Sequence, residues 1–160
     1  MPLQTRLISK IDRAASRILG RRVVHFIHVG KTGGTALKAA LEKHKRTAGY
    51  HILLHDHHFV FRMVPPGDSV FFFLRHPLSR FISGFYSRQR EGKPRHYYPW
   101  RAGEEKAFAK FKTPNELALA LSSPHANPRA AAWQAMRSIQ HVRDTYYEVV
   151  PHSWTVWQRS

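Results

Sequence analysis

The chain contains no cysteine, which excludes disulfides, thiolate nucleophiles and cysteine metal ligands. Acidic residues are scarce. Ten Asp and Glu stand against 26 Lys and Arg, for a formal charge of +16 with histidine neutral and a pI near 11.0. A field of this sign favours an anionic partner: nucleic acid, acidic lipid, acidic polysaccharide or a phosphorylated nucleotide. No apolar run approaches the length of about 18 residues that a transmembrane helix needs. Near the N-terminus, Arg6, Lys10, Asp12, Arg13 and Arg17 interrupt the apolar residues, so no secretory leader is expected and a cytoplasmic location is. What is present is ordinary for a soluble globular protein: 42% hydrophobic residues and a mean hydropathy of −0.45. The 160 residues suffice for one domain with a real core.

Leu3, Leu7, Ile8, Ile11, Ala15, Ile18 and Leu19 recur at helical spacing among basic residues and predict an amphipathic helix over 1–20. The periodicity favours a helix packed on the domain by its apolar stripe; a peripheral membrane contact is the alternative. The β-branched and aromatic run Val23 to Val29 predicts a buried strand. It leads into Gly30-Lys31-Thr32-Gly33-Gly34-Thr35 and then a helix carrying Leu37, Ala40 and Leu41. Ile52-Leu53-Leu54 fits a short strand, His55-Asp56-His57-His58 a polar loop, and Pro65-Pro66-Gly67-Asp68 a turn. Ser69 to Leu74 shows no alternation and predicts a strand buried on both faces, as in a parallel sheet. It runs into Arg75-His76-Pro77 and a helix with Phe81, Ile82, Phe85 and Tyr86 on one stripe. The basic, aromatic segment Glu91 to Lys112 is expected to be an exposed excursion. Thr113-Pro114-Asn115-Glu116 predicts a capping box and a helix ending near Ser122. A further helix begins at Asn127-Pro128, and Pro151 to Ser160 shows no pattern.

Two strand, loop, helix units argue an α/β domain with a parallel sheet, whose ligands bind beyond the carboxyl ends of the strands. Both loops fall there. In the first, glycines let the backbone approach a ligand, the following helix adds its positive end, Lys31 adds a full charge, and Thr32 and Thr35 add hydroxyls. The set makes a phosphate or sulfate cradle; a plain linking turn is the weaker reading. The triphosphate P-loop spacing fails because its first glycine falls on His25. The second strand ends in Arg75, where a magnesium nucleotide site needs an acidic residue. Arg75, before a helix, is a second candidate anion site, and Ser83 follows eight residues later. From spacing alone, a surface arginine and an ordinary helical serine are as good a reading of that pair.

The segments Ile27 to Thr35 and Phe73 to Tyr86 together resemble the two signature loops of PAPS-dependent sulfotransferases, which take a sulfuryl group from 3′-phosphoadenosine-5′-phosphosulfate. The likeness leans toward the heparan sulfate 2-O-sulfotransferase-like and bacterial glycan sulfotransferase branch. It spans roughly residues 23–121, and members of the family run longer. It implies a three-layer αβα domain with a central parallel sheet, the P-loop-NTPase-like sulfotransferase fold. Lys31, Thr32, Gly33, Gly34 and Thr35 are then expected to bind the 5′-phosphosulfate, and Arg75 and Ser83 the 3′-phosphate. His76 stands where the family often has Asp.

Sulfuryl transfer needs in-line attack and stabilisation of charge on the leaving oxygen. Lys31 suits the latter, without a metal. A histidine suits the proton from the acceptor hydroxyl. In the related glycan enzymes the second histidine of a His-x-His segment between the two loops is the base. The resemblance therefore implies His57 as base with His55 as support, His58 being the neighbouring alternative. A metal site at His55, Asp56 and His57 is not expected, because adjacent ligands rarely close one shell. The expected partners are the nucleotide donor and a hydroxyl acceptor, with a carbohydrate preferred and no specific nucleic acid. The rivals are a basic nucleic-acid or polyanion-binding module, resting on the stretch 88–112, a kinase or NTPase, and a catalytically inactive nucleotide-binding fragment. The expected plan is one sulfotransferase-like domain over 1–160: the basic helix 1–20, a nucleotide-binding core 23–121 and a helical part 122–160.

Overall fold

β-branched and aromatic residues between glycine-rich turns build a small parallel sheet. A computed structural model describes residues 3–47 and 49–144, with side chains from residue 11 onward. The chain is α/β and divides into two compact units. Residues 145–160, including the patternless stretch from Pro151, lie outside the described part.

The first unit contains α1 (Leu3–Ile18), β1 (Arg22–Phe26), α2 (Gly34–Glu42), β2 (Tyr50–Leu54) and β3 (Ser69–Phe71). β1 is central, with parallel partners on both sides in the order β2-β1-β3. Val24 pairs with Ile52 on one side and with Ser69 on the other. Phe26, Ile27 and Val29 are buried at the end of β1. The strands are shorter than the sequence suggests. Ladder pairing ends at Phe26 and Phe71, where the β1 chain turns toward the glycine loop after a last bond from the Ile27 N–H to the Phe71 carbonyl. Phe73 and Leu74, expected to be buried, are each 47% exposed.

α1 also departs from expectation. Its apolar residues Ile11, Ile18 and Leu19 face outward, whereas Ser16 is buried. The contacts explain the inversion. The His51 Nδ1–H donates to Ser16 Oγ, which itself donates to the Asp12 carbonyl. Arg13 and Arg17 pair with the buried carboxylate of Asp68. A buried carboxylate needs cations and donors more than the sheet needs further apolar cover.

The second unit, Arg75–Thr145, is helical: α3 (Pro77–Gln89), α4 (Ala102–Lys110), α5 (Pro114–Leu121), α6 (Ala126–Ser138) and α7 (Gln140–Arg143). Its core joins Phe85, Phe108, Phe111, Leu117, Ala135 and Ile139. The segment expected as an exposed excursion is therefore only partly one. α4 forms within it, and Ala107, Phe108 and Phe111 enter the core. Glu104, fully buried, holds the arrangement. It accepts two bonds from Arg88 at 2.7 and 2.6 Å, and one each from the backbone N–H of Arg101 and Gln140. Arg88 also donates to the carbonyls of Tyr98 and Pro99, pinning the loop before α4. Thr113 caps α5 by accepting from Glu116 N–H, but the Glu116 carboxylate turns to the Lys112 N–H, so the expected box closes on one side only.

Candidate anion loop and histidine cluster

The loop after β1 bends through two left-handed residues, Lys31 at φ 64° and Gly33 at φ 87°, with Thr32 between them outside that region. Alternation of hand turns successive amides to one side, the geometry of an anion-binding concavity. Gly33 is the N-cap of α2, and its carbonyl accepts from the Ala36 and Leu37 N–H groups, so the start of the helix ladder follows directly on the loop. Thr32 closes the turn by donating from Oγ1 to the Val29 carbonyl at 2.8 Å. Glycine at 33 answers to the backbone angle. Glycine at 34 answers to space: a Cβ there would lie 2.1 Å from Cδ2 of the His28 ring. Gly30 meets neither demand, having no positive φ and open space around it. Thr35 is exposed in the first turn of α2.

His28 occupies the floor of this loop. It is 6% exposed, and its ring lies 3.9 Å from that of His57. The His28 carbonyl accepts from His57 Nδ1–H at 3.2 Å. A carbonyl cannot donate, so neutral His57 carries its proton on Nδ1 and keeps Nε2 as an acceptor. His57 is exposed. Burial, then the neighbouring His57 and Lys38, push His28 down to about 4, so its ring is neutral near pH 7.

His55 and His57, two residues apart, have different surroundings. His55 is buried and donates from Nε2 to His25 Nδ1 at 2.8 Å. His25 in turn donates from Nε2 to Asp68 Oδ2 at 3.0 Å. The direction follows from the acceptor-only carboxylate at the end of the chain. Phe59 stacks on His55 with ring centroids 3.5 Å apart. Burial, then His25, push His55 down to about 4. Burial also lowers His25, against the opposing pull of Asp68. Burial would raise Asp68, but His25, Arg17 and Arg13 outweigh it and hold the carboxyl below its usual range. Lys38 of α2 donates to the His55 carbonyl at 3.1 Å, tying the histidine segment to the helix that follows the loop. His58 is exposed, and its backbone N–H donates to Asp56 Oδ1 in a local turn.

The first unit thus brings together Lys31, Thr32, Gly33, Gly34, Thr35 and, through His28, His57. His55 is set apart in the buried Asp68 chain. In the second unit Arg75 is exposed and precedes α3. Ser83, half-buried, lies on α3 about 9 Å along the axis from Pro77 at 1.5 Å per residue. His25, His28 and Asp68 escape a reading of the sequence as site residues. The two histidines look like strand residues and Asp68 like a turn. The available signal is two histidines at inward positions of an otherwise apolar run.

Among the described residues, no group of three His, Cys, Asp or Glu side chains could hold a metal ion, and no helix is long and apolar enough to cross a membrane. No family model, no curated protein and no solved structure matches the chain.

Proposed function

We propose that the chain is a PAPS-dependent sulfotransferase with a hydroxyl acceptor, preferably a carbohydrate, on a three-layer αβα, P-loop-NTPase-like sulfotransferase fold. One observation carries the reading. A lysine in a left-handed loop at a helix N-terminus is coupled, through His28, to an exposed histidine whose Nδ1–H bond to a carbonyl leaves the basic lone pair of the neutral ring on Nε2. The acceptor oxygen attacks sulfur, and its proton passes to His57 Nε2. The new O–S bond forms as the bond from sulfur to the 5′-phosphate oxygen breaks, and the electron pair leaves with 3′,5′-adenosine bisphosphate. Lys31 and the loop amides meet that charge, with Thr32, Gly33, Gly34 and Thr35 shaping the cradle. His55 supports the segment that carries His57. Arg75 and Ser83 take the 3′-phosphate on the strength of the sequence resemblance alone. No metal is assigned a role.

A polyanion-binding role is the second reading. It is favoured by the basic loop of the second unit, where Lys93 lies 4.7 Å over the exposed Tyr97 ring beside the equally exposed Tyr98.

Calorimetric titration with 3′,5′-adenosine bisphosphate at about 150 mM salt without metal separates the two. Saturable wild-type binding, weakened roughly 10- to 100-fold in Lys31→Ala and in Arg75→Ala, is expected for the donor site. Binding that follows generic polyanions and collapses with salt supports the second reading instead. A requirement for Mg²⁺ would point to a nucleotide kinase or NTPase.

A further inference from the structure

We infer that α1 is a docking surface for an anionic lipid bilayer. The helix is inverted. Its polar side, through Ser16, Arg13 and Arg17, holds the sheet and the Asp68 carboxylate, and its apolar side faces out. Ile11 is 62% exposed, Ile18 85% and Leu19 64%. Together with the exposed Ala15 they form one stripe at helical spacing. Isolated exposed apolar residues mean little, but a continuous stripe on one helix marks an interaction site.

Charge identifies the occupant. Residues 1–22 hold six Lys and Arg and one acid, Asp12; Arg13 and Arg17 are engaged by Asp68 and Asp12 is paired with Arg46, so Arg6, Lys10, Arg21 and Arg22 make up the rest of the segment's positive charge. An outward apolar stripe on a segment of net positive charge is the pattern of a helix lying in a membrane interface, apolar side down, with acidic headgroups around it. A second copy fits worse. Facing two such stripes would bring two segments of net positive charge together, with the one acid of each, Asp12, already paired with Arg46. The inference is independent of the sulfotransferase reading, since no residue of the anion loop takes part.

The test uses the full chain and vesicles of phosphatidylcholine with or without phosphatidylglycerol. A chain of net charge +16 adheres to acidic vesicles by charge alone, so the decisive variant, Ile11→Asn with Ile18→Asn, leaves every charge in place. Flotation should show binding to the acidic vesicles only, about tenfold weaker in this variant. Unchanged binding overturns the inference. Because the chain has no native cysteine, Ile18→Cys accepts a single environment-sensitive dye. Its emission should shift to the blue on acidic vesicles and stay water-like without them. A blue-shifted dye on the lipid-free monomer shows the face already covered by the chain itself and overturns the inference. So does self-association without lipid that the double variant abolishes. Circular dichroism of each variant verifies folding.

Discussion

His57 donates its Nδ1 proton to the backbone carbonyl of His28 while lying against the ring of the same residue. One residue thereby sets both the tautomer and the tilt of the exposed histidine, and places the basic lone pair of the neutral ring on Nε2.

If Nε2 of His57 is the base, His57→Ala lowers sulfuryl transfer about 10²- to 10⁴-fold and leaves 3′,5′-adenosine bisphosphate affinity within about twofold. Transfer assays and calorimetry on the same preparation check both halves. Equal losses in rate and affinity would assign His57 to nucleotide binding.

Lys31 holds a left-handed backbone, which costs a residue with a Cβ about 1 kcal/mol. Lys31→Gly should therefore leave thermal stability unchanged or slightly raised while weakening nucleotide binding about as much as Lys31→Ala. A stabilised, non-binding variant would show that the loop keeps a strained lysine for its charge.

Gly34→Ala places a methyl where the His28 ring now lies. The buried ring must move and carry His57 with it, at a cost of about 1–3 kcal/mol. Denaturant unfolding should show that loss. Wild-type stability would mean that the ring has room to turn.

His28 and His55 are held near 4 against an ordinary 6.5, with burial the main cause. Between these values the unfolded chain binds more protons than the folded one. Their contribution is thus complete above about pH 6.5 and is lost as pH falls toward 4. A loss of at least about 2 kcal/mol between pH 7 and pH 4.5 is expected in urea unfolding, and a smaller one in His28→Phe.

Glu104 gathers four donors with no exposure to solvent. Glu104→Ala leaves the Arg88 guanidinium buried and uncompensated, and should destabilise the second unit by about 3–5 kcal/mol. Thermal unfolding monitored by near-ultraviolet circular dichroism reports it, since Trp100 donates to the Arg88 carbonyl and its environment changes with the arginine.

Local patterns were sufficient for much of this architecture. The apolar run Val23 to Val29 and the glycine loop place β1, the anion loop and α2, because strand propensity and glycine's freedom act within a few residues. Thr113-Pro114 likewise places α5. The lengths of β1 and β3 were not legible, because a strand ends where its neighbour leaves, and that is decided across the sheet. α4 was obscured by the turn residues and charge before it. Its stability rests on Glu104, whose partners Arg88 and Gln140 lie 16 and 36 residues away.

By itself the sequence determined the α/β class, the positions of Lys31, Gly33 and Gly34 in a turn ahead of a helix, and the amphipathic character of α1. Each depends on residues within one or two turns of one another. Only the tertiary structure decided which face of α1 looks outward, and which of two neighbouring histidines is buried and which exposed. Both outcomes follow from Asp68. Its buried charge draws in Arg13 and Arg17 from 55 and 51 residues away and His25 from 43, and His25 then captures His55. A buried carboxylate must be compensated wherever in the chain its partners lie.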